Sequence, residues 1–168
     1  VRDVSERKEY EHELAYQAAH DALTGLYNRQ AFMERLEDSL RHAKRYGAAR
    51  AVLFVDLDKF KKVNDMLGHE AGDQLLIEFA DRLKQSLREN DYVSRLGGDE
   101  FTVILNNPVD THPEIVAQRI VESVSQPFYI AGDAVDFLSA SIGISSFPLD
   151  TMSPDTLSLT WHDAANPS

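Results

Sequence analysis

A short apolar run near the middle of the chain most constrains the fold. Residues 51–55 read Ala-Val-Leu-Phe-Val without a polar interruption, whereas a strand with one solvent-facing side alternates polar and apolar residues. The run therefore predicts a central β-strand, beginning at Arg50, that is buried on both faces. It ends in Asp56-Leu57-Asp58. Because alternate residues of a strand point to the same side, the two carboxylates are predicted to share a face.

A second acidic pair follows a predicted hairpin tip. Gly97 and Gly98 separate two apolar segments within residues 92–105, and paired glycines tolerate the positive φ angles of short hairpin turns. Asp99 and Glu100 come directly after them. The stretch is compatible with a solvated acidic turn. A metal or phosphate site is the other interpretation, and it requires a partner elsewhere in the chain.

The other elements follow from apolar periodicity and turn residues. Together with the first strand and the hairpin, they give the order of a split βαβ sheet with helices on one face, which is an α+β fold. Predicted helices cover 1–20, 29–46, 69–88 and 113–125, and two final strands lie near 127–131 and 135–147, joined by a turn at Gly132-Asp133.

Composition excludes several classes of function. The formal net charge of -11 argues against a general nucleic-acid binder, which neutralises phosphates with Lys and Arg. The absence of cysteine excludes disulfides, thiolate metal sites and thiol catalysis. Apolar runs are too short for a membrane span, and the N-terminus has no apolar signal core. We expect a cytoplasmic location, which includes the cytoplasmic part of a membrane-bound receptor.

The predicted topology brings the two acidic pairs together. In a split βαβ sheet the first strand lies beside the hairpin, so Asp56 and Asp58 converge with Asp99 and Glu100. Close carboxylates repel one another unless a cation neutralises them, and hard oxygen ligands favour Mg2+. Such a centre next to lysines is typical of phosphoryl or nucleotidyl transfer. A solvated acidic edge without a metal is the alternative.

Three motifs in the same order resemble those of the GGDEF family of diguanylate cyclases. Gly97-Gly98-Asp99-Glu100-Phe101 matches the family signature, His20–Arg29 resembles its DxLTGLxNR segment, and Phe54–Asp65 resembles its FxDxDxFKxxND segment. The resemblance implies a ferredoxin-like, palm-type βααββαβ core related to nucleotide cyclases. It also implies the condensation of two GTP molecules into cyclic di-GMP, with release of pyrophosphate, in a homodimer that uses Mg2+ or Mn2+.

The resemblance also implies roles for individual residues. Asp56, Asp99, Glu100 and the carbonyl of Leu57 would hold the metal. Asp99 or Glu100 would deprotonate the attacking 3′-hydroxyl, and Lys61 would steady the triphosphate. For His69 a capping or surface role is the alternative. The substrate-binding residues would be Phe60, Asn64, His69, Asp73, Gly97 and Gly98, with Asn64 and Asp73 on the guanine edge.

A product-binding site is implied just before the signature. Arg88 and Asp91 resemble the RxxD inhibitory motif of the family, with Arg95 as a further contact. Arginine suits both phosphate binding and stacking on guanine, so bound cyclic di-GMP would restrain the enzyme allosterically. A surface ion pair is the alternative interpretation of the motif.

Both ends of the sequence bear on domain organisation. Residues 1–20 are predicted to be a helical linker with a narrow apolar seam, and residues 3–8 resemble the junction after PAS sensor domains. Residues 21–168 would be the GGDEF domain, with a C-terminal helix that is atypical or truncated. No Lys or Arg follows Arg119, whereas the family carries both in this region to bind phosphates. We therefore expect reduced turnover, and an EAL phosphodiesterase domain is a candidate downstream partner.

Two other functions compete with a catalytic module. A non-catalytic module that binds GTP or cyclic di-GMP would regulate an attached domain. A cyclase for another purine nucleotide is opposed by Asn64 and Asp73, because an amide and a carboxylate suit the N1 and N2 donors of guanine.

Overall fold

The computed structural model describes residues 2–47, 49–106 and 112–147. Two helices precede the first strand, two more separate it from a hairpin, and a fifth leads to three further strands. The elements are α1 (Arg2–Ala19), α2 (Arg29–Tyr46), β1 (Arg50–Asp58), α3 (Phe60–Leu67), α4 (His69–Ser86), β2 (Tyr92–Gly97), β3 (Glu100–Leu105), α5 (Pro113–Ser125), β4 (Phe128–Ile130), β5 (Asp133–Val135) and β6 (Ser139–Phe147).

An antiparallel sheet in the order β2-β3-β1-β6 forms the centre of the fold. Val52 of β1 lies opposite Ile104 of β3 on one side and Ser145 of β6 on the other. β4 and β5 form a separate two-stranded hairpin. The predicted α+β fold, with a central antiparallel sheet and flanking helices, is confirmed.

Helices cover both faces of this sheet, so the expectation of helices on one face is wrong. On one face α2 packs against β1 in a cluster that contains Phe32, Leu36 and Phe54. On the other face the cluster contains Leu53 of β1 and Phe79 of α4. The physical reason is the uninterrupted apolar run of β1, whose two faces both need covering.

The final strands differ from the prediction of one strand over 135–147. β5 ends at Val135, and β6 begins at Ser139. Because β5 pairs only with β4 while β6 pairs with β1, the chain must leave one sheet and enter another, and residues 136–138 make this connection. The two-residue turn is Ala131-Gly132, both with positive φ, one residue before the predicted position.

The predicted helices over 29–46 and 113–125 are confirmed at both ends, while the helix predicted over 69–88 ends at Ser86. The Asn28 side chain caps α2 by accepting the Ala31 N–H at 2.9 Å. The expectations for the chain after Phe147 lie outside the described residues.

The helix predicted near the N-terminus is confirmed as α1, whose residues 5–18 are exposed. A column of stacked rings joins its end to β2. Tyr16 stacks on His20, His20 on Tyr27 and Tyr27 on Tyr92, with centroid distances of 3.7, 4.7 and 4.1 Å. None of the helices in the described ranges is long and apolar enough for a bilayer crossing.

Candidate active site

The predicted convergence of carboxylates occurs where β1 meets the tip of the β2–β3 hairpin. Asp56 lies opposite Glu100 in the strand register, and the Leu57 N–H donates to the Asp99 carbonyl at 3.3 Å. Gly97 pairs with Glu100, which leaves Gly98 and Asp99 as the two turn residues. Gly98 has a φ of 49°, which a residue with a side chain adopts only at a cost.

The site concentrates negative charge. Partial burial, the charge of Asp99 with a hydrogen bond to it, and the charges of Glu100 and Asp58 raise the pKa of Asp56 from 3.8 to about 7. A neighbouring carboxylate disfavours ionisation in this way unless a positive charge offsets it. The burial and the acidic neighbours of Asp56 therefore favour its protonated form.

A divalent cation fits this donor set when a phosphate ligand completes it. Within the part of the chain that is described, no three His, Cys, Asp or Glu side chains form a cage for a metal ion. Mg2+ does not require one, because it commonly binds one or two carboxylates together with substrate phosphates and waters. Asp56 and Asp99 would supply the carboxylates of such a site.

Asp58 is held by the neighbouring strand. Its carboxylate accepts a hydrogen bond from the Ser139 hydroxyl at 3.0 Å, and from the Ser141 hydroxyl at 2.9 and 2.8 Å. These bonds fasten the end of β1 to β6. Asp58 thus adds negative charge near Asp56 while its own oxygens are occupied.

The start of α3 lies one residue beyond β1. Lys59 adopts a left-handed conformation with a φ of 67°, which turns the chain sharply from strand to helix. The Phe60 ring is buried, so the main chain is what this residue presents at the helix N-terminus. Lys61 is exposed, whereas the Lys62 ammonium lies 4.5 Å from the centre of the Phe137 ring.

Asn64 meets α4 at Gly72. A Cβ placed on Gly72 would lie 1.8 Å from Asn64 Oδ1 and 3.3 Å from Phe60 Cζ. Asp73, the next residue of α4, is exposed, and so is His69 at the first position of that helix. The structure therefore brings Asn64 beside the turn of α4 that carries Asp73.

Arg88 and Asp91 form the turn between α4 and β2. The Arg88 N–H donates to Asp91 Oδ2 at 3.0 Å, and the Asp91 N–H donates to the Arg88 carbonyl at 3.0 Å. They line a cleft of about 320 Å³ together with His20, Tyr27 and Lys84.

Arg95 lies apart from that cleft. Its Nη1 contacts both carboxylate oxygens of Asp21, at 2.9 and 3.1 Å, and its Nε donates to the Gly98 carbonyl at 3.0 Å. Burial by itself raises the pKa of Asp21, but hydrogen bonds from Thr24 and the charge of Arg95 outweigh it and hold the pKa below its ordinary value. Asp21, two residues after the end of α1, is thus linked through Arg95 to the signature turn.

Two features of this site, Gly72 and the Asp21–Arg95 ion pair, were not predicted from the sequence. Gly72 carried a usable signal, because an isolated glycine inside a helical pattern usually has a packing or functional reason. The Asp21–Arg95 ion pair joins residues 74 positions apart, and no local pattern indicates such a pair.

The antiparallel α+β sheet gathers carboxylates at a hairpin tip beside a helix N-terminus, a combination suited to a divalent cation bound together with a phosphate ligand. The comparisons specify the class further. The chain belongs to the GGDEF domain family, whose model, described as "Diguanylate cyclase, GGDEF domain", matches residues 18–165.

Named relatives agree with this family. The chain is 42% identical over 153 residues to diguanylate cyclase TpbB of Pseudomonas aeruginosa. The matched segment covers 90% of this chain and 34% of that protein. A structure of only the GGDEF domain of TpbB matches with a TM-score of 0.75, 42% identity and coverage of 87% of this chain and 84% of that one. The chain therefore spans about a third of the length of this curated relative.

A second structure extends the match to α1. The coiled coil and GGDEF domain of DgcB from Caulobacter crescentus, in complex with c-di-GMP, has a TM-score of 0.82 at 25% identity. It covers 98% of this chain, and the match spans 86% of that chain.

Proposed function

We propose that this domain condenses two GTP molecules into cyclic di-GMP and releases two molecules of pyrophosphate. The observation that carries the proposal is the pairing of Asp56 with Asp99 and Glu100 at a hairpin tip beside the N-terminus of α3. A relative named diguanylate cyclase, 42% identical over 90% of the chain, supports it.

In each of two steps, the 3′-oxygen of one GTP attacks the α-phosphorus of the other. The new phosphodiester bond forms as the bond from the α-phosphorus to its bridging oxygen breaks, and pyrophosphate departs. Glu100 or Asp99 accepts the proton of the attacking hydroxyl. Asp56 and Asp99, with the Leu57 carbonyl, would hold Mg2+ or Mn2+, which when bound stabilises the charge that develops on phosphate oxygens.

Other residues position the substrate. The main-chain N–H groups of Phe60 and Lys61 lie in the first turn of α3, where N–H groups have no partner within the helix and favour an anion. Lys61 adds a mobile positive charge, and Asn64 with Asp73 reads the guanine edge. Gly97 and Gly98 allow close approach of the nucleotide to the main chain, and His69 is a further candidate contact.

Each domain would hold one GTP, so catalysis requires a homodimer. We assign residues 1–20 as the linker from a PAS-like sensor; the exposure of α1 supports a linker, and the DgcB structure that covers 98% of this chain comprises a coiled coil and a GGDEF domain. GTP as the substrate favours a cytoplasmic location. The cleft at Arg88 and Asp91 is the candidate inhibitory product site.

The decisive experiment incubates the protein with GTP and Mg2+ and resolves the products by chromatography. We expect cyclic di-GMP, abolished by Asp99→Ala and strongly reduced by Lys61→Met. Lys62→Met is the matched control, because its ammonium is engaged by Phe137, and it retains most activity. GTP binding without any product would contradict the catalytic proposal.

One observation favours a regulatory role as the second candidate. The chain is 40% identical over 137 residues to a protein named for the opposite reaction, the cyclic di-GMP phosphodiesterase NbdA of Pseudomonas aeruginosa. A non-catalytic domain would bind GTP or cyclic di-GMP and change the activity of an attached domain such as an EAL phosphodiesterase. The product assay separates the two functions.

A further inference from the structure

Gly72 occupies a position in α4 where nothing in the backbone calls for glycine. Its φ is not in the left-handed region, and its N–H bonds to the Gly68 carbonyl at 3.1 Å, as in an ordinary helix. Alanine is the better helix former at such a site. What excludes it is the space beside Cα, which the end of the Asn64 side chain fills and the Phe60 ring borders, with Phe60 Cζ 3.3 Å from a Cβ placed there.

That contact has an unusual consequence for a substitution. A methyl group on Gly72 would lie 1.8 Å from Asn64 Oδ1 and 3.0 Å from its Cγ, far inside van der Waals distance. The overlapping atoms belong to the free end of a rotatable side chain, so the amide can turn away. The backbone can stay in place, because buried Phe60 and Val63 anchor α3 in the core.

We propose that Gly72 is a positioning residue for Asn64 and that, through Asn64, it sets the selectivity for guanine. The inference rests on the proposed function, in which the Asn64 amide and the Asp73 carboxylate read the base edge. With Gly72 present, the amide is seated against the helix turn that carries Asp73, so the two residues that read the base project from adjoining parts of α3 and α4. An added methyl group on Gly72 displaces the Asn64 amide from this position, so that only Asp73 contacts the base edge.

The test is Gly72→Ala, compared with wild type on GTP and on inosine triphosphate, which lacks the 2-amino group of guanine. We expect KM for GTP to rise about tenfold or more, because one hydrogen bond to the base is lost. The preference for GTP over inosine triphosphate falls by a similar factor. The melting temperature stays equal or rises, since alanine favours the helix.

A merely structural glycine predicts the opposite pattern. In that case Gly72→Ala lowers the melting temperature and leaves KM and the base preference unchanged, which would overturn the proposal. Gln74→Ala is the matched control, because it changes an exposed residue two positions further along the same helix and should affect neither KM nor the preference.

A double-mutant cycle tests whether Gly72 acts through Asn64. If Gly72 acts through Asn64, then Gly72→Ala adds almost nothing to KM once Asn64→Ala is in place, because the shorter side chain leaves room for the methyl. If the KM increases of the two single variants instead multiply in the double variant, Gly72 does not act through Asn64 and the inference is refuted. Wild-type protein that neither binds GTP nor forms cyclic di-GMP would instead remove the proposed function, and this inference with it.

Discussion

Asp56 is the residue at which charge and stability are most directly linked. Burial and its acidic neighbours favour its protonated form, whereas an unfolded chain has none of these influences. The folded protein therefore binds more protons than the unfolded chain between the two pKa values. Stability must fall as pH rises through that interval.

We predict that the metal-free protein melts at a lower temperature at about pH 8 than at about pH 6. The pKa of Asp56 rises from 3.8 to about 7 on folding, so its stabilising contribution is full below 3.8 and lost as pH passes about 7. Thermal denaturation in a chelator measures this, and Mg2+ should restore stability at the higher pH. Asp56→Asn should flatten the decline, whereas Asp81→Asn, an exposed control on α4, should not. An equal decline in Asp56→Asn would contradict the explanation.

At the scale of elements, Arg82 joins α4 to the end of α5. Its Nη1 donates to the carbonyls of Ser123 and Gln126 at 2.8 and 2.9 Å, and its Nη2 to that of Pro127 at 2.6 Å. Its guanidinium carbon lies 3.6 Å from the centre of the Phe128 ring. The positive group thus supplies donors to these carbonyls, of which that of Ser123 also accepts the Gln126 N–H at 3.3 Å, and it complements the negative end of the helix dipole.

Arg82→Ala should lower the free energy of unfolding by about 2–4 kcal/mol, because carbonyls that accept charge-assisted bonds lose their donor. Arg82→Lys should recover only part of the lost free energy of unfolding, because an ammonium cannot reproduce the planar set of N–H donors of a guanidinium. Urea denaturation measures both, with Gln85→Ala as the exposed control on α4. A change under about 0.5 kcal/mol in Arg82→Ala, typical of a surface substitution, would show that this junction is dispensable.

Local signals explain which elements were predictable. The bounds of α2 and α5 follow from amphipathic periodicity, the Asn28 cap and Pro113 at the helix start. The break between β5 and β6 was not predictable, because it depends on which sheet each segment joins. That choice is a tertiary contact, and the sequence around residues 136–138 carries no turn signal strong enough to reveal it.

The candidate site divides in the same way. The meeting of Asp56 with Asp99 and Glu100 followed from topology alone. The fit of Asn64 against Gly72 depends on how two helices cross and which rotamer the amide adopts, and the partner of Arg95 lies far away along the chain. Helix crossing angles and long-range ion pairs leave no periodic trace in a sequence.

At the scale of the whole molecule, the proposed function requires an acidic protein to bind polyanionic nucleotides. The net charge of -11 makes long-range attraction of GTP unfavourable, so cations near the binding surfaces carry the affinity. Lys61 on α3 and Arg88 after α4 are such cations, at two separate places on the surface. Substrate and product would therefore bind at distinct sites, and a substitution at one site should leave binding at the other unchanged.

We predict that Arg88→Ala raises the cyclic di-GMP concentration needed for half-inhibition about tenfold or more, because a guanidinium that can pair with phosphate is lost. Initial rates measured with added product test this. Arg41→Ala is the matched control, since that exposed arginine of α2 forms only ion pairs with Glu37 and Asp38 among the described residues. Inhibition that persists in Arg88→Ala would place the product elsewhere.

The column of rings from Tyr16 to Tyr92 also provides an optical signal. The near-ultraviolet signal of a tyrosine depends on the rings packed against it, and here Tyr16 of α1 stacks on His20 at 3.7 Å while Tyr27 stacks on Tyr92 at 4.1 Å. Near-ultraviolet circular dichroism therefore reports how α1 is seated on the domain. A twist arriving along that helix would change the spectrum before any nucleotide is added.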